Sequence, residues 1–496
     1  MCGRHNTLKQ GTSNRWPNRR TGWKSFSPQS PSYNDVRCFG FLGATALGTA
    51  NKVQNLTGIT RRELLRYAAK AAFVSPAIAL LSLQAGCGSG PFVNATQPPP
   101  PPVSDDEFLD QIEHAAFLYF WEQASPTTGL VKDRAVASGN DTGTVASIAA
   151  TGFGLTALCI GHSRGYGDQA EIQSRVVTTL SFLANLQSSL QPATNGFLYH
   201  FIDMGSGNRA WSSEVSSIDT SILLCGILTC RQYFQDTQIQ ALASQIYSNV
   251  NWPWMLNGGS TFSMGWTPES GFLANRYDTY CELMMLYLLA IGSSTYPVPA
   301  SCWNAFSRPS LTYQGLTYIT NYYAPLFIHQ YSHAWFDFRG KSDAYTNYFE
   351  NSVTATQAHK LFCLSLQSQF SDYSDKLWGI TASDSINGYT AWGGPPQMGQ
   401  IDGSIVPSAC GGSLAFDSTD CLAVLRNIRS AYPASWQRYG YVNAFNPLSG
   451  WYDVDVIGIN SGVHMLMAEN QRTNFVWNTF MKNPEAQAAF ASVGLK

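Results

Sequence analysis

The sequence predicts an all-α fold in which two concentric layers of helices form a barrel and long loops cover one end. Three observations carry that expectation. The apolar stretches beyond residue 105 have helical length and spacing, and strand-like alternation is scarce. Two runs, Ser216–Cys230 and Leu283–Ile291, hold no lysine or arginine and few polar groups. A helix apolar on every side must be buried all round, which is the position of an inner layer. About a dozen helices in one body also exceed what a small bundle needs.

Taken in order, the helical patterns span 106–124, 145–162, 168–190, 214–234, 237–250, 277–291, 311–323, 344–369, 410–429 and 461–480, with weaker ones near 300–308, 430–438 and 484–493. Gly161 reads as the glycine that ends the second of these helices. Ser216 and Asp219 have capping-box spacing at the start of the 214–234 helix, which gives Asp219 a structural duty. Between the helices lie loops rich in Gly, Trp, Tyr, Asp and Asn, and loops carry the chemistry of such a scaffold.

Composition narrows the function. The 496 residues are 44% hydrophobic, 13% aromatic and only 12% charged, which excludes disorder and coiled coil. No change of composition divides the chain after residue 105, so one large domain is expected. The formal charge of -2 conceals an asymmetry: residues 1–87 hold 12 of the 30 Lys+Arg and 2 of the 32 Asp+Glu, leaving 18 and 30. The remainder thus carries 18 minus 30, or -12, which argues against a nucleic acid partner and suits an uncharged, hydroxyl-rich one.

The N-terminal region reads as an address. Thr60-Arg61-Arg62-Glu63-Leu64-Leu65 precedes a short apolar stretch, Ala71 to Leu83, in the manner of a twin-arginine export signal. That stretch ends at Leu83-Gln84-Ala85-Gly86-Cys87, which resembles a bacterial lipoprotein cleavage site. Residues 1–87 are therefore expected to be a spurious extension plus signal, 88–104 a proline-rich tether, and 105–496 the folded body. An exported, periplasmic or cell-surface monomer is expected, touching membrane only through a lipid on Cys87. Eight cysteines lie in the body without any C-x-x-C pair; Cys410 and Cys421 are the candidate disulfide.

The candidate chemistry is carboxylate chemistry. Asp133, Glu214, Asp219, Glu269, Asp278, Glu282, Asp337, Glu350, Asp402, Asp453 and Asp455 lie in loops or early helix turns, beside Trp211, Trp266, Tyr277, Tyr280, Trp335, Trp378, Trp392 and Trp451. Flat rings beside acids suit sugars, whose faces stack on rings while acids bind hydroxyls. Glu282 is the sharpest residue, because it enters the apolar run Tyr277–Leu286. Desolvation there, with Asp278 one turn earlier on the same helix face, should keep it protonated, as a glycosidase general acid must be. Glu214 has no obvious capping duty and is left as base, nucleophile or sugar ligand. Two other motifs fail. Gly161-His162-Ser163-Arg164-Gly165 fits a nucleophile elbow but follows a helix, and His329-Gln330-Tyr331-Ser332-His333 lacks the glutamate of a zinc protease.

Ten ordered segments together resemble the glycoamylase-like family, which includes the bacterial endo-β-1,2-glucanases of glycoside hydrolase family 144 and a domain of cyclic β-1,2-glucan synthases. They include GFLYHFIDMGSGNRAWSSEVSSIDT (196–220), YDTYCELMMLYLLAIGS (277–293), WGITASDS (378–385), DGSIVPSACGGSLAF (402–416) and DVIGINSGVHMLMAENQRTNFVWNTFMKNPE (455–485). The resemblance implies an (α/α)6 barrel, acid chemistry without cofactor or metal, and a β-linked glucan, most specifically β-1,2-glucan or its oligosaccharides. It favours Glu282 and Glu214 as the catalytic pair, with Asp455 and Asp402 secondary. Asp133, Trp211, Trp266, Tyr277, His333, Arg339 and Trp392 are the expected substrate ligands. Asn460 departs from the family's aspartate. A non-hydrolytic glycan-binding lipoprotein and a transglycosylase are the alternatives to hydrolysis.

Overall fold

The computed structural model describes residues 103–322 and 325–496. The export signal, Cys87 and nearly all of the tether lie outside the described residues. Helix α1 (Asp105–Glu122) opens at Ser104, whose hydroxyl accepts the Glu107 amide, with three acids in the first turn at the positive end of the helix. Helices α2 (Ile148–Arg164), α3 (Gln169–Ser189), α4 (Ser217–Tyr233) and α5 (Thr237–Ser248) begin at Ser147, Asp168, Ser216 and Asp236, each accepting a first-turn amide. The short α6 (Trp252–Leu256) and α7 (Met284–Ile291) follow, then 3-10 turns at 326–329 and 332–334. Helices α8 (Tyr348–Ser365), α9 (Pro407–Gly411), α10 (Ser418–Ala431), α11 (Gly458–Thr473), α12 (Phe475–Phe480) and α13 (Pro484–Val493) complete the chain.

Among the described residues, α2, α4, α7, the 326–334 segment, α9 and α11 form the inner ring of an (α/α)6 barrel. Residues 148–161 of α2, 217–230 of α4 and all of α7 are buried without a break, as burial on every side demands. Helix α2 packs on both α4 and α11, α4 on α7, and α9 on α11. Hydrogen bonds close the ring between. The Met285 amide donates to Ser332 Oγ at 3.0 Å, and Gln330 Nε2 donates to the Ala409 carbonyl at 2.9 Å. Helices α1, α3, α5, α8, α10 and α13 pack outside, α13 returning from the C-terminal end to cover α7.

The tightest inner contact is made by two glycines. A Cβ at Gly226 of α4 would lie 2.0 Å from the Gly152 carbonyl oxygen of α2, and one at Gly152 would lie 2.4 Å from the Ile222 carbonyl oxygen. Backbone meets backbone here, so no side chain can move aside. The inner helices begin at a common end, where short antiparallel pieces of strand guide the entering chain: 145–147 pairs with 201–203, 215–216 with 265–267, 262–263 with 276–277, and 134–136 with 455–457.

Several expected elements differ. The 311–323 helix is a β-hairpin, Ser310–Tyr313 against Leu316–Ile319, turning on Gln314 and Gly315, both at positive φ. Its alternating Leu-Thr-Tyr triplets are strand pattern that was read as helix. The 277–291 helix begins only at Met284. The 410–429 stretch spans two helices, α9 and α10, and the 461–480 stretch breaks at Asn474, whose φ is 61°. Gly161 lies inside α2 against Phe117; the left-handed C-terminal residue is Gly165 at φ 73°. Cys410 and Cys421 are free, buried thiols, as are the other six cysteines of the described body.

The Gly226→Ala substitution is expected to lower stability by about 2 kcal/mol or more, because a 2.0 Å clash with backbone puts overpacking at the top of its range of about 1–3 kcal/mol or beyond, and the gain in helix propensity returns only about 1. Urea unfolding followed by circular dichroism checks this. An unchanged midpoint contradicts the close approach.

Candidate active site

Glu282 sits in the turn that leads into α7, and a neighbouring inner segment holds that turn. Helix α7 has no side-chain cap of its own. Ser332 supplies one from across the ring: its hydroxyl donates to the Glu282 carbonyl at 2.7 Å and accepts the Met285 amide at 3.0 Å. The Glu282 side chain is only 7% exposed as a residue, and burial raises its pKa to about 7, with the charge of Asp219 adding to the effect. The expected partner, Asp278, is exposed and precedes the helix, so it shares no helical face with Glu282. The like charge comes instead from α4.

Glu214 lies one residue before the strand that enters α4. Gly265 leaves it room, since a Cβ there would approach Glu214 Cγ to 2.7 Å. Its carboxylate is 3.1 Å from His200 Nδ1, while His200 Nε2 is 3.6 Å from Asp219 Oδ1. Burial pushes the Glu214 carboxyl up, but the His200 bond and charge, with Arg209, hold it below the ordinary glutamate value. Asp219 moves the opposite way: burial raises its pKa against the charge of His200. It also fulfils its capping role, its backbone amide donating to Ser216 Oγ at 3.2 Å and its carboxylate accepting from that hydroxyl at 2.5 Å.

A second lobe centres on Arg134. Its guanidinium binds Asp384 at 2.6 Å and Asp133 at 3.2 Å, and the charge of Asp133 also bears on His200 and Asp219. Asp453 and Asp455 join this lobe, and burial raises both, Asp453 to about 7. Asn460 takes part through its amide: Nδ2 donates to Asn443 Oδ1 at 2.7 Å, and Asn443 Nδ2 donates to Asp453 at 3.3 Å. An aspartate at 460 would lose that donor and add another charge to the lobe. Tyr389 bridges the lobes, with Tyr331 beside it on the Glu282 side, both feeling the charge of Glu282 and both raised by burial.

The structure therefore gathers Glu282, Glu214, Asp133 and Asp455 from the expected set. Trp211 stands at the rim, 57% exposed, edge-on to Phe201, whose ring in turn stacks on His200. Trp266 is half-buried against Trp254, and Tyr277 is buried in its strand. Asp402 closes a turn by accepting the Ser404 amide. Trp392 is core, its indole donating to Ser383. His333 is also core, bonded to Ser352 among Phe338, Phe349 and Phe416, and burial lowers its pKa to about 3. Arg339 stacks on Trp477 and bonds Asn474 at the C-terminal end of α11, the far end of the barrel from Glu282. Glu269 binds Arg209 at the surface, and Asp337 binds Arg339.

His200, Arg134, Asp384, Tyr331 and Tyr389 were not singled out as site residues from sequence. Histidine and arginine between acids were the available signal, but only the fold brings residues 134, 200 and 384 together. Two trios, His200–Glu214–Asp219 and Asp384–Asp453–Asp455, have donor atoms within 4.8 Å of one another, the spacing a cation would need. In the first, both ring nitrogens face carboxylates, which is the geometry of an imidazolium. In the second, Arg134 already holds Asp384. A cavity of about 520 Å³ opens elsewhere, lined by Arg164, Tyr233, Glu469, Phe475 and Lys482 at the C-terminal ends of α2, α4 and α11. Arg164 and Glu469 are paired there at 2.8 Å, and the acid pool lies at the opposite ends of these helices.

Residues 275–484 match the glycoamylase family, described as "Putative glucoamylase". The exo β-1,2-glucooligosaccharide sophorohydrolase (non-reducing end) of Parabacteroides distasonis is 28% identical over 431 residues, covering 79% of this chain. The chain spans 58% of that relative's length. The endo-β-1,2-glucanase of Chitinophaga pinensis, solved with sophorotriose and glucose, superposes with a TM-score of 0.71 at 26% identity, covering 79% of this chain and 99% of that one. A β-1,2-glucanase from P. distasonis gives 0.72 at 26% identity, covering 79% and 60%.

At about pH 6, below its raised pKa, Glu282 should carry a proton while Glu214 does not. Infrared difference spectra should show a buried carboxylic acid band component that Glu282→Gln removes and Glu214→Gln leaves. A band unaffected by Glu282→Gln contradicts the assignment.

Proposed function

We propose that the acid pool is the active site of a glycoside hydrolase acting on β-1,2-glucan or its oligosaccharides, a reading supported by the match of residues 275–484 to the glycoamylase family and by the likeness to β-1,2-glucanases. One observation carries the reading. Within one buried mouth, burial drives Glu282 toward the protonated form while His200 holds Glu214 ionised. Two carboxylates with separated proton affinities are what glycosidic cleavage requires.

In this mechanism the Glu282 proton passes to the glycosidic oxygen as the bond from that oxygen to the anomeric carbon breaks, and water adds its oxygen to that carbon, directly or after a Glu214 ester, losing a proton that restores the carboxylate pair. Glu214 is the anion facing the positive charge that develops on the sugar ring. Trp211 and Phe201 offer a platform at the rim, where a sugar face can stack. The -12 balance of the body suits a neutral glucan, which pays no electrostatic penalty on approach.

We propose in addition that the protein is exported. The twin-arginine pattern at 60–65 supports export, and Cys87 after Ala85-Gly86 supports lipidation and a tethered, periplasmic or surface location.

Glu282→Gln should lower kcat on β-1,2-glucooligosaccharides by about a hundredfold to ten-thousandfold with little change in KM, as loss of a general acid does. Purified protein that releases no sugar from β-1,2-, β-1,3- or α-glucans, or full turnover by Glu282→Gln, contradicts the proposal. Products longer than the donor would select transglycosylation instead. For the anchor, Cys87→Ala should move the chain from the membrane fraction to the soluble fraction; an unchanged distribution contradicts lipidation.

A further inference from the structure

We propose that His200 is a positioning residue, a charged ring clamped between Glu214 and Asp219 that keeps Glu214 an anion beside protonated Glu282. The inference rests on the hydrolase reading and assigns a role to a residue outside the acid pair.

The geometry leaves the ring little choice. Nδ1 lies 3.1 Å from Glu214 Oε1 and Nε2 lies 3.6 Å from Asp219 Oδ1, so both nitrogens face carboxylate oxygens. An imidazolium gives Glu214 a hydrogen-bonded proton and Asp219 a charge at ion-pair distance, whereas a neutral imidazole between two ionised acids would turn a lone pair toward one of them. Its backbone is fixed as well. The His200 amide donates to the Glu214 carbonyl at 2.9 Å, and the His200 carbonyl accepts the Ile148 amide, at the start of α2. Phe201 covers one ring face, its centroid 3.8 Å away at 18°. The side chain is 2% exposed, so water contributes little to holding its charge.

Asp219, Glu214 and Asp133 act on this ring by charge. Burial opposes the charge, yet these acids raise the ring's pKa to about 9. Glu214 feels His200 and, more weakly, Arg209. Arg209 cannot take over the role, because its guanidinium is engaged by Glu269 and by the Ser213 carbonyl. Removing the ring's charge would therefore raise the Glu214 pKa toward that of a buried acid. Glu214 would then gain a proton at a higher pH, and the acid limb of the rate profile would move up. A ring that merely filled space would lower the rate at every pH without moving that limb.

The test has two readouts on the full chain. With histidine labelled in the ring, nuclear magnetic resonance follows protonation; the His200 signal is assigned by its displacement in Asp219→Asn and in Glu214→Gln. The ring should remain charged through about pH 8, well above the ordinary histidine value of about 6.5. A ring that is neutral at pH 7 overturns the inference, and this readout stands even if His200→Gln fails to fold. In kcat/KM profiles on β-1,2-glucooligosaccharides, His200→Gln should shift the acid limb up by about one pH unit or more, the effect of losing a neighbouring opposite charge. That is about a tenfold loss at a pH on the limb. An unshifted limb overturns the positioning role. If the wild-type chain hydrolyses no glucan, the enzymatic reading falls, and the ring titration alone decides whether His200 is the standing cation between the two acids.

Discussion

The mouth of the barrel holds more negative charge than its own cations can neutralise. Asp133, Glu214, Asp219, Glu282, Asp384, Asp453 and Asp455 face one another across it, with Arg134 and His200 as the cations bound among them. Buried like charges cannot all ionise, so some of these acids must keep protons. For Glu214 and Glu282 the outcome is set by burial against the nearest cation. Glu214 touches His200 and is held ionised; Glu282 touches neither cation and keeps its proton to about pH 7. The acid and the anion of the proposed reaction are thus separated by burial of Glu282 and by the imidazolium beside Glu214.

The barrel makes such a pool tolerable. Its inner helices begin at this end, so unpaired amides and the positive helix ends face the acids. Asp219 uses this directly by sitting in the first turn of α4. Rigidity comes from contacts that leave no slack: glycine backbone against glycine backbone between α2 and α4, and Ser332 locking the turn that carries Glu282. A general acid must be held to within a fraction of an ångström, and a cap lent by a neighbouring helix does this better than a free loop.

Much of this was legible in the sequence, for physical reasons that also mark the limit. The runs of Ser216–Cys230 and Leu283–Ile291 are buried inner helices because no polar side was available to face water. Glu282 was identifiable because one acid in an apolar run is conspicuous. The reason given for its proton was only half right, since burial acts as expected but the like charge comes from Asp219, sixty-three positions away, and not from Asp278. The strands of two to four residues around the mouth have too few positions to show a period. His333 and Arg339 were tied to the site by their segment, yet that segment runs down the barrel wall and delivers one to the core and the other to the opposite end. The pairing of Arg134 with Asp384 spans 250 positions, beyond any local pattern.

The most direct measurement is a crystal structure of the Glu282→Gln variant with a β-1,2-linked glucooligosaccharide. The account predicts a sugar chain across the mouth, with the residue 282 amide within about 2.6–3.2 Å of a glycosidic oxygen, directly or through one water or sugar hydroxyl, and the Glu214 carboxylate turned toward the same sugar. A chain bound at the other end of the barrel, or one whose scissile oxygen is reached by Asp453 while residue 282 stays buried out of contact, would contradict it.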